Sequence, residues 1–166
     1  MEKEKYVISK LPGSRWQECK NLRLEALKTV PLAFGSSYEA EKDLTDQDWK
    51  NRIHNAFFAL DGNEPVGMIV LIVGSDHKTR HIATIYSLYI KLPFRGKGIG
   101  FQLMKSAIAS LKGREYVKKI KLAVNVEQKA AIRLYEKFGF IPAGTLHQEI
   151  FHEGNYYDEL IMELFL

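Results

Sequence analysis

The sequence predicts an α/β (α+β) sandwich: a mixed, mostly antiparallel sheet of about seven strands with helices on both faces. Three observations lead there. Apolar runs at 56–60, 65–74 and 82–90 are separated only by short polar turns, the mark of antiparallel neighbours. The third run passes through glycines into an apolar pattern at helical spacing, then into Ile120-Lys121-Leu122-Ala123-Val124. A strand reached through a helix is expected to run parallel to the one before it. Two last strands, at 140–151 and 156–166, are joined around Glu153-Gly154-Asn155.

In chain order, Tyr6-Val7-Ile8 reads as a short first strand, ended by Pro12-Gly13. Ser14 is the candidate N-cap of a helix marked by Trp16, Cys19, Leu22, Leu24, Ala26 and Leu27, which Pro31 closes. Ala33-Phe34-Gly35-Ser36-Ser37 is a turn-rich break, and the charged stretch 39–43 can begin a second helical piece. Thr45 caps the next helix. Trp49 and Ile53 face inward there, and Asp46 and Asp48 sit in the first turn, where the helix dipole favours carboxylates. Asp61-Gly62-Asn63-Glu64 is hairpin chemistry between the first two apolar runs, and 76–80 is a polar turn. Past the glycines, Phe101, Leu103, Met104, Ala107, Ile108 and Leu111 trace a helix to about Lys112. Glu127 to Lys137 is an amphipathic helix, ended by Gly139 as a C′ residue. No linker, repeat or low-complexity segment interrupts the chain, so one domain over residues 1–166 is expected.

Composition narrows the function classes. The hydrophobic fraction of 46% and charged fraction of 27% belong to an ordinary globule. The formal net charge of +4 suits a small anionic ligand or a solvated surface. It is too small, and its cations too scattered, for nucleic-acid binding. Cys19 has no partner for an internal disulfide and reads as a small core residue. The charged start, Met-Glu-Lys-Glu-Lys, is no signal peptide, and the longest apolar run, 68–73, is too short for a bilayer. A cytoplasmic protein without membrane contact is the expectation. The histidines are scattered with no pair at ligand spacing, so no metal is expected.

The chemistry concentrates at Arg95-Gly96-Lys97-Gly98-Ile99-Gly100, where a strand turns into a helix. First-turn amides have no intrahelical partner, and the macrodipole is positive there. Glycines let an anion approach those amides, and Arg95 and Lys97 add charge, so the stretch reads as a phosphate cradle. The plainer alternative is a glycine-rich turn with two solvated cations. A P-loop does not fit, because Lys97 is followed by Gly98 where a metal-binding hydroxyl is needed. A dinucleotide fingerprint does not fit either, because its third glycine comes one place early.

Further on, Ala131-Ile132-Arg133-Leu134-Tyr135-Glu136-Lys137-Phe138-Gly139-Phe140 follows at one helix and one strand's remove. The two stretches, in this order, resemble the acetyl-CoA loop (Arg/Gln-x-x-Gly-x-Gly/Ala) and second signature (Ala-x-x-Leu-Tyr-x-x-x-Gly-Phe) of the GNAT superfamily of N-acetyltransferases. The resemblance covers roughly residues 55–165 in element order and implies a GNAT-like fold with acetyl-CoA as cofactor. It implies that Arg95, Gly96, Lys97, Gly98, Ile99 and Gly100 hold the pyrophosphate. The pantetheine arm then adds like a strand along Leu88, Tyr89 and Ile90, with an amide there polarising the thioester carbonyl. It makes Tyr135 the general acid that protonates the departing thiolate, since a phenol near pKa 10 is close to a thiol near 8.5–9. Packing on the sheet is the alternative for Tyr135. Gln128 stands where relatives often carry Asn, and Asn125 can supply a pantetheine contact instead or be a strand-end turn residue.

The strand at 82–90 lacks the carboxylate that many relatives use as general base. Tyr86 and Ser87 can orient an amine or a water; His81, His147 and Glu149 are candidates for the base, and so is solvent. The fold implied by the resemblance puts the acceptor near the first helix and its following loop, and near the last hairpin. Arg23, Glu25, Phe34, Ser36, Ser37 and Tyr38 come from the first region, and Tyr156, Tyr157 and Asp158 from the second. Glu25 or Asp158 would bind an ammonium; Arg23 would bind a carboxylate or pair with Glu25. The expected reaction is acetyl transfer by direct attack of a primary amine, on a small molecule or a protein amino group. A catalytically silent CoA-binding module of the same fold is the alternative. Relatives pair through sheet edges or last strands, which leaves a homodimer open.

Overall fold

Alternating apolar residues build a seven-stranded sheet in the order β1-β2-β3-β4-β5-β7-β6. The computed structural model describes residues 6–166; the charged start at 1–5 lies outside the described residues. Strands β1 (Val7–Ser9), β2 (Ala56–Asp61), β3 (Glu64–Val73) and β4 (Ile82–Ile90) are successive antiparallel neighbours. β4 and β5 (Lys119–Asn125) are parallel. β7 (Asn155–Phe165) pairs antiparallel with β5, and β6 (Ile141–His152) lies outside it as the edge.

Among the described residues, five α-helices cover the sheet: α1 (Trp16–Thr29), α2 (Tyr38–Glu41), α3 (Asp46–Ile53), α4 (Ile99–Ala109) and α5 (Lys129–Lys137). Because successive strand residues face opposite ways, the sheet has two cores. Phe58, Leu60 and Met68 join Cys19, Leu22, Ala26 and Ile53 from α1 and α3. Ala59, Val66, Ile69 and Leu71 join Leu103, Met104 and Ala107 from α4, with Tyr135 from α5. Each large apolar side chain so buried contributes roughly 1.5–3 kcal/mol of transfer free energy.

Thr45 forms a full capping box: its hydroxyl accepts from Asp48 N at 3.2 Å, and the Asp48 carboxylate accepts from Thr45 N at 2.9 Å. Ser14 does not cap α1. It lies in a 3-10 turn, Gly13–Arg15, and the α1 N-cap is Arg15, which makes no side-chain cap bond and instead donates to Glu18. Pro31 closes α1 by opening another 3-10 turn, Pro31–Ala33. α4 ends at Ala109, short of Lys112, and α5 begins only at Lys129, after Gln128.

One irregularity positions the site. β4 and β5 pair only at Ile82↔Lys119, Ala83↔Ile120 and Thr84↔Lys121. Beyond that the strands part, while β5 stays paired to β7 as far as Asn125↔Glu159. The parting coincides with a bulge in β4. Ser87 and Leu88 together face Ile69, and Ser87 takes φ +56°. A bulge bends its strand and breaks the ladder, so the sheet opens there.

Candidate active site

The glycine stretch places a row of bare amides at one end of this gap. Gly98 is the N-cap of α4 in the left-handed region, φ +77°, and Gly96 has φ +72°. Among the described residues, no amide from Gly96 to Phe101 meets a protein acceptor; the first bonded one is Gln102 N, to Gly98 O at 3.1 Å. A Cβ on Gly96 or Gly98 would meet nothing within 4 Å, so the space above these amides is open. Gly100 has a different task. A Cβ there would lie 3.2 Å from Leu134 Cδ2 and 3.4 Å from Ile90 Cδ1, so this glycine lets α4 approach α5 and β4. The nearby cations partly turn back on the chain, Arg95 Nε donating to Ile90 O at 3.0 Å and Lys97 Nζ to Pro93 O at 2.9 Å. Ile99 is buried in the core and contributes only its amide to the row.

The gap opens into a cavity of about 930 Å³. Ser87 and Leu88 from β4, Ala123 and Val124 from β5, Gln128 just before α5 and Tyr135 within it are among the residues that line it. Lys91 N bonds Val66 O on β3, so alternation turns Tyr89 to β3 as well and leaves the main chain of Leu88 and Ile90 facing the gap. Tyr89 is therefore placed differently from the expectation. Its ring is buried beneath α1 and its hydroxyl donates to Glu25 Oε1 at 2.9 Å. Asn125 is buried; its Oδ1 accepts from Glu127 N, and its Nδ2 has no partner.

Tyr135 is 6% exposed, and among the described residues its hydroxyl makes no hydrogen bond. Burial alone pushes the phenol well above its ordinary 10.0. Glu159 on β7 also lines the cavity, and burial, then the Glu149 charge, raises its carboxyl. The sequence reading missed Glu159 because only strand pairing brings the last strand beside β5.

The acceptor candidates separate. Arg23, Phe34 and Tyr86 line the cavity, Tyr86 half-exposed. Arg23 does not pair with Glu25. Its guanidinium forks onto the buried Glu41, Nη2 to Oε1 at 2.8 Å and Nε to Oε2 at 3.1 Å, and Arg52 Nη1 reaches Glu41 Oε2 at 2.7 Å. Burial favours the neutral acid of Glu41, but bonds from Arg23 and Ser36 and the two cations outweigh it, holding the carboxyl at about 2. Glu25 is occupied by Tyr89 and lies off the cavity wall. Asp158 accepts from Gln148 N at 2.8 Å and His147 Nδ1 at 2.9 Å, the first of which chiefly lowers its pKa. It pins the β6 bulge at Gln148, φ +56°, and is no open ammonium site. Tyr156 stacks on Phe151 at 5.0 Å on the exposed hairpin, away from the cavity. Glu41, Trp49 and Arg52 join the wall instead, supplied by short helices whose inward faces a linear sequence does not bring together. Among the described residues no group of three or more His, Cys, Asp or Glu could hold a metal ion.

A parallel strand pair that parts beside bare amides at a helix start defines an open cleft with an anion-binding end. Residues 16–140 match the model of the acetyltransferase (GNAT) family, and the chain belongs to that family. It is 33% identical over 102 residues to N-alpha-acetyltransferase 30 of Saccharomyces cerevisiae, covering 61% of this chain and 57% of that one. The chain spans about half the length of the curated relatives it matches, 40% of one and 57% of another. Its fold is shared with a GNAT-family acetyltransferase of Streptococcus pneumoniae, at TM-score 0.86 and 19% identity over 97% of this chain and 99% of that one. It is shared too with an acetyltransferase of Salmonella typhimurium solved with acetyl-CoA, at TM-score 0.82 and 15% identity over 96% and 93%. No helix among the described residues is long and apolar enough to cross a membrane.

Proposed function

We propose that the protein transfers an acetyl group from acetyl-CoA to a primary amine, which attacks directly. The observation that carries this reading is the β4–β5 gap, closed at one end by the unpaired amides of 96–101 and walled by Tyr135. Those amides, with Arg95 and Lys97 beside them, suit a diphosphate. The main-chain groups of Leu88 and Ile90 suit an extended amide-bearing arm.

Acetyl-CoA brings a thioester, an acyl group already activated for attack. Leu88 N–H, turned into the gap, is the donor for the acyl oxygen. Glu159, its proton affinity raised by burial, accepts the proton of the attacking amine. Tyr135 Oη holds the proton for the leaving sulfur. Its raised pKa keeps it protonated at neutral pH. The same dry surroundings penalise a thiolate, so donor and acceptor rise together and proton transfer stays feasible.

The test is thiol release with an amine panel. Tyr135→Phe should lower kcat about 100-fold while the KM for acetyl-CoA stays within twofold. Equal loss in both would make Tyr135 a packing residue. A wild-type protein that binds acetyl-CoA but releases no thiol with any amine would be a silent CoA-binding module.

A further inference from the structure

At the far wall of the same cavity, α1, α2 and α3 bring two guanidiniums onto one carboxylate. Arg23 and Arg52 share Glu41, so the cluster carries one uncompensated positive charge. The Arg23 side chain is 9% exposed, and its Nη1 has no hydrogen-bond partner. Trp49, fully buried, leaves its Nε1 unpartnered in the same wall. Arg52 differs: it uses one N–H on Glu41, and its side chain is 44% exposed, so the rest of its fork is open. The excess positive charge and the open side of the Arg52 fork suit an acceptor that carries oxygen and negative charge. A planar guanidinium fork matches a carboxylate best.

The cavity also holds a group of opposite character. Glu159 lines the same cavity as Tyr135, with no cation bonded to it among the described residues. One cavity thus presents both a carboxylate, Glu159, and an open guanidinium, Arg52. We infer that the acceptor is a small amine that also bears a carboxylate, its nitrogen directed to Glu159 and its carboxylate to the exposed side of the Arg52 fork. This rests on the acetyl-transfer reading and names its substrate class. Phe34, over the Arg23 guanidinium at 4.7 Å, and Met68 make the wall between apolar, which suits an amino acid with an apolar side chain.

Matched pairs decide it: leucine against leucinamide, and methionine against methioninamide. Thiol release is read as kcat/KM referred to the free-base amine. The acid should exceed its amide by about 10- to 100-fold, the effect of one charged hydrogen-bonded contact. Arg52→Gln should bring that ratio close to one, and Arg52→Lys should restore part of it. Arg52→Glu should invert the preference toward diamines. An acid-to-amide ratio near one in the wild type, with thiol still released, overturns the inference and leaves acetyl transfer standing. Failure of every amine tested to release thiol counts against acetyl transfer itself. Saturation-transfer NMR then decides the acceptor site: leucine binding while leucinamide does not supports it, and equal or absent binding overturns it.

Discussion

Glu41 is where a single side chain links stability to the site. It is buried, yet the fork of Arg23 and the Nη1 of Arg52 keep it ionised down to about pH 2. Its folded pKa lies below the ordinary 4.5, so the stability it contributes is fully present above pH 4.5. That contribution is lost as pH falls from 4.5 toward 2. Urea denaturation across this window should show a steeper loss of stability in the wild type than in Glu41→Gln. At pH 7 the variant should be less stable by about 3 kcal/mol, because Arg23 keeps its burial and loses its counter-charge. Parallel curves for the two proteins would mean that Glu41 does not stay charged in the fold. Cys19, in the same wall, is a contrasting case. Burial lifts its thiol to about 11, which makes it an inert packing residue at neutral pH.

At the scale of elements, the strand–glycine–helix unit was the most legible part of the chain. Its glycines were visible because the residue type itself encodes the conformation: Gly96 and Gly98 occupy φ near +70° to +80°, where other residues are strained. Gly98→Glu tests both roles. The left-handed φ should cost about 1–2 kcal/mol, seen as a fall in Tm of about 2–6 °C. The new carboxylate should remove measurable acetyl-CoA binding by calorimetry. Unchanged affinity would detach the amide row from the cofactor. The pairing of β2, β3 and β4 was equally legible from short turns, and the parallel β5 from the intervening helix. The acceptor wall was not. Arg23 gave no sign that its partner lay in α2, because two cations on one buried carboxylate exist only after α1, α2 and α3 pack. Asp158 looked like an ammonium ligand, but the β6 bulge that occupies it leaves no pattern in the residues around it. Tyr89 was expected beside the pantetheine arm with Leu88 and Ile90; its main chain instead pairs with Met68 and its hydroxyl bonds Glu25 of α1.

For the whole molecule, the sheet is a continuous ladder with one interruption, and the interruption is where chemistry is possible. Strand β5 is paired along its length to β7, and β4 along its length to β3, so neither strand needs the other beyond Thr84. A gap between strands held this way survives without a ligand, because each bounding strand is anchored from behind. It also leaves the amides of Leu88 and Ile90 facing the gap, while Tyr89 between them is tied to Met68. Amide hydrogen exchange separates these neighbours. In the free protein, Leu88 and Ile90 should exchange far faster than Tyr89, although all three lie on one strand. With saturating CoA, Leu88 and Ile90 should slow by at least about tenfold, as expected for amides that gain a bonded partner, while Tyr89 changes little. Uniform protection of all three in the free protein would mean that the strands close on one another in solution, leaving the pantetheine arm no ladder to join.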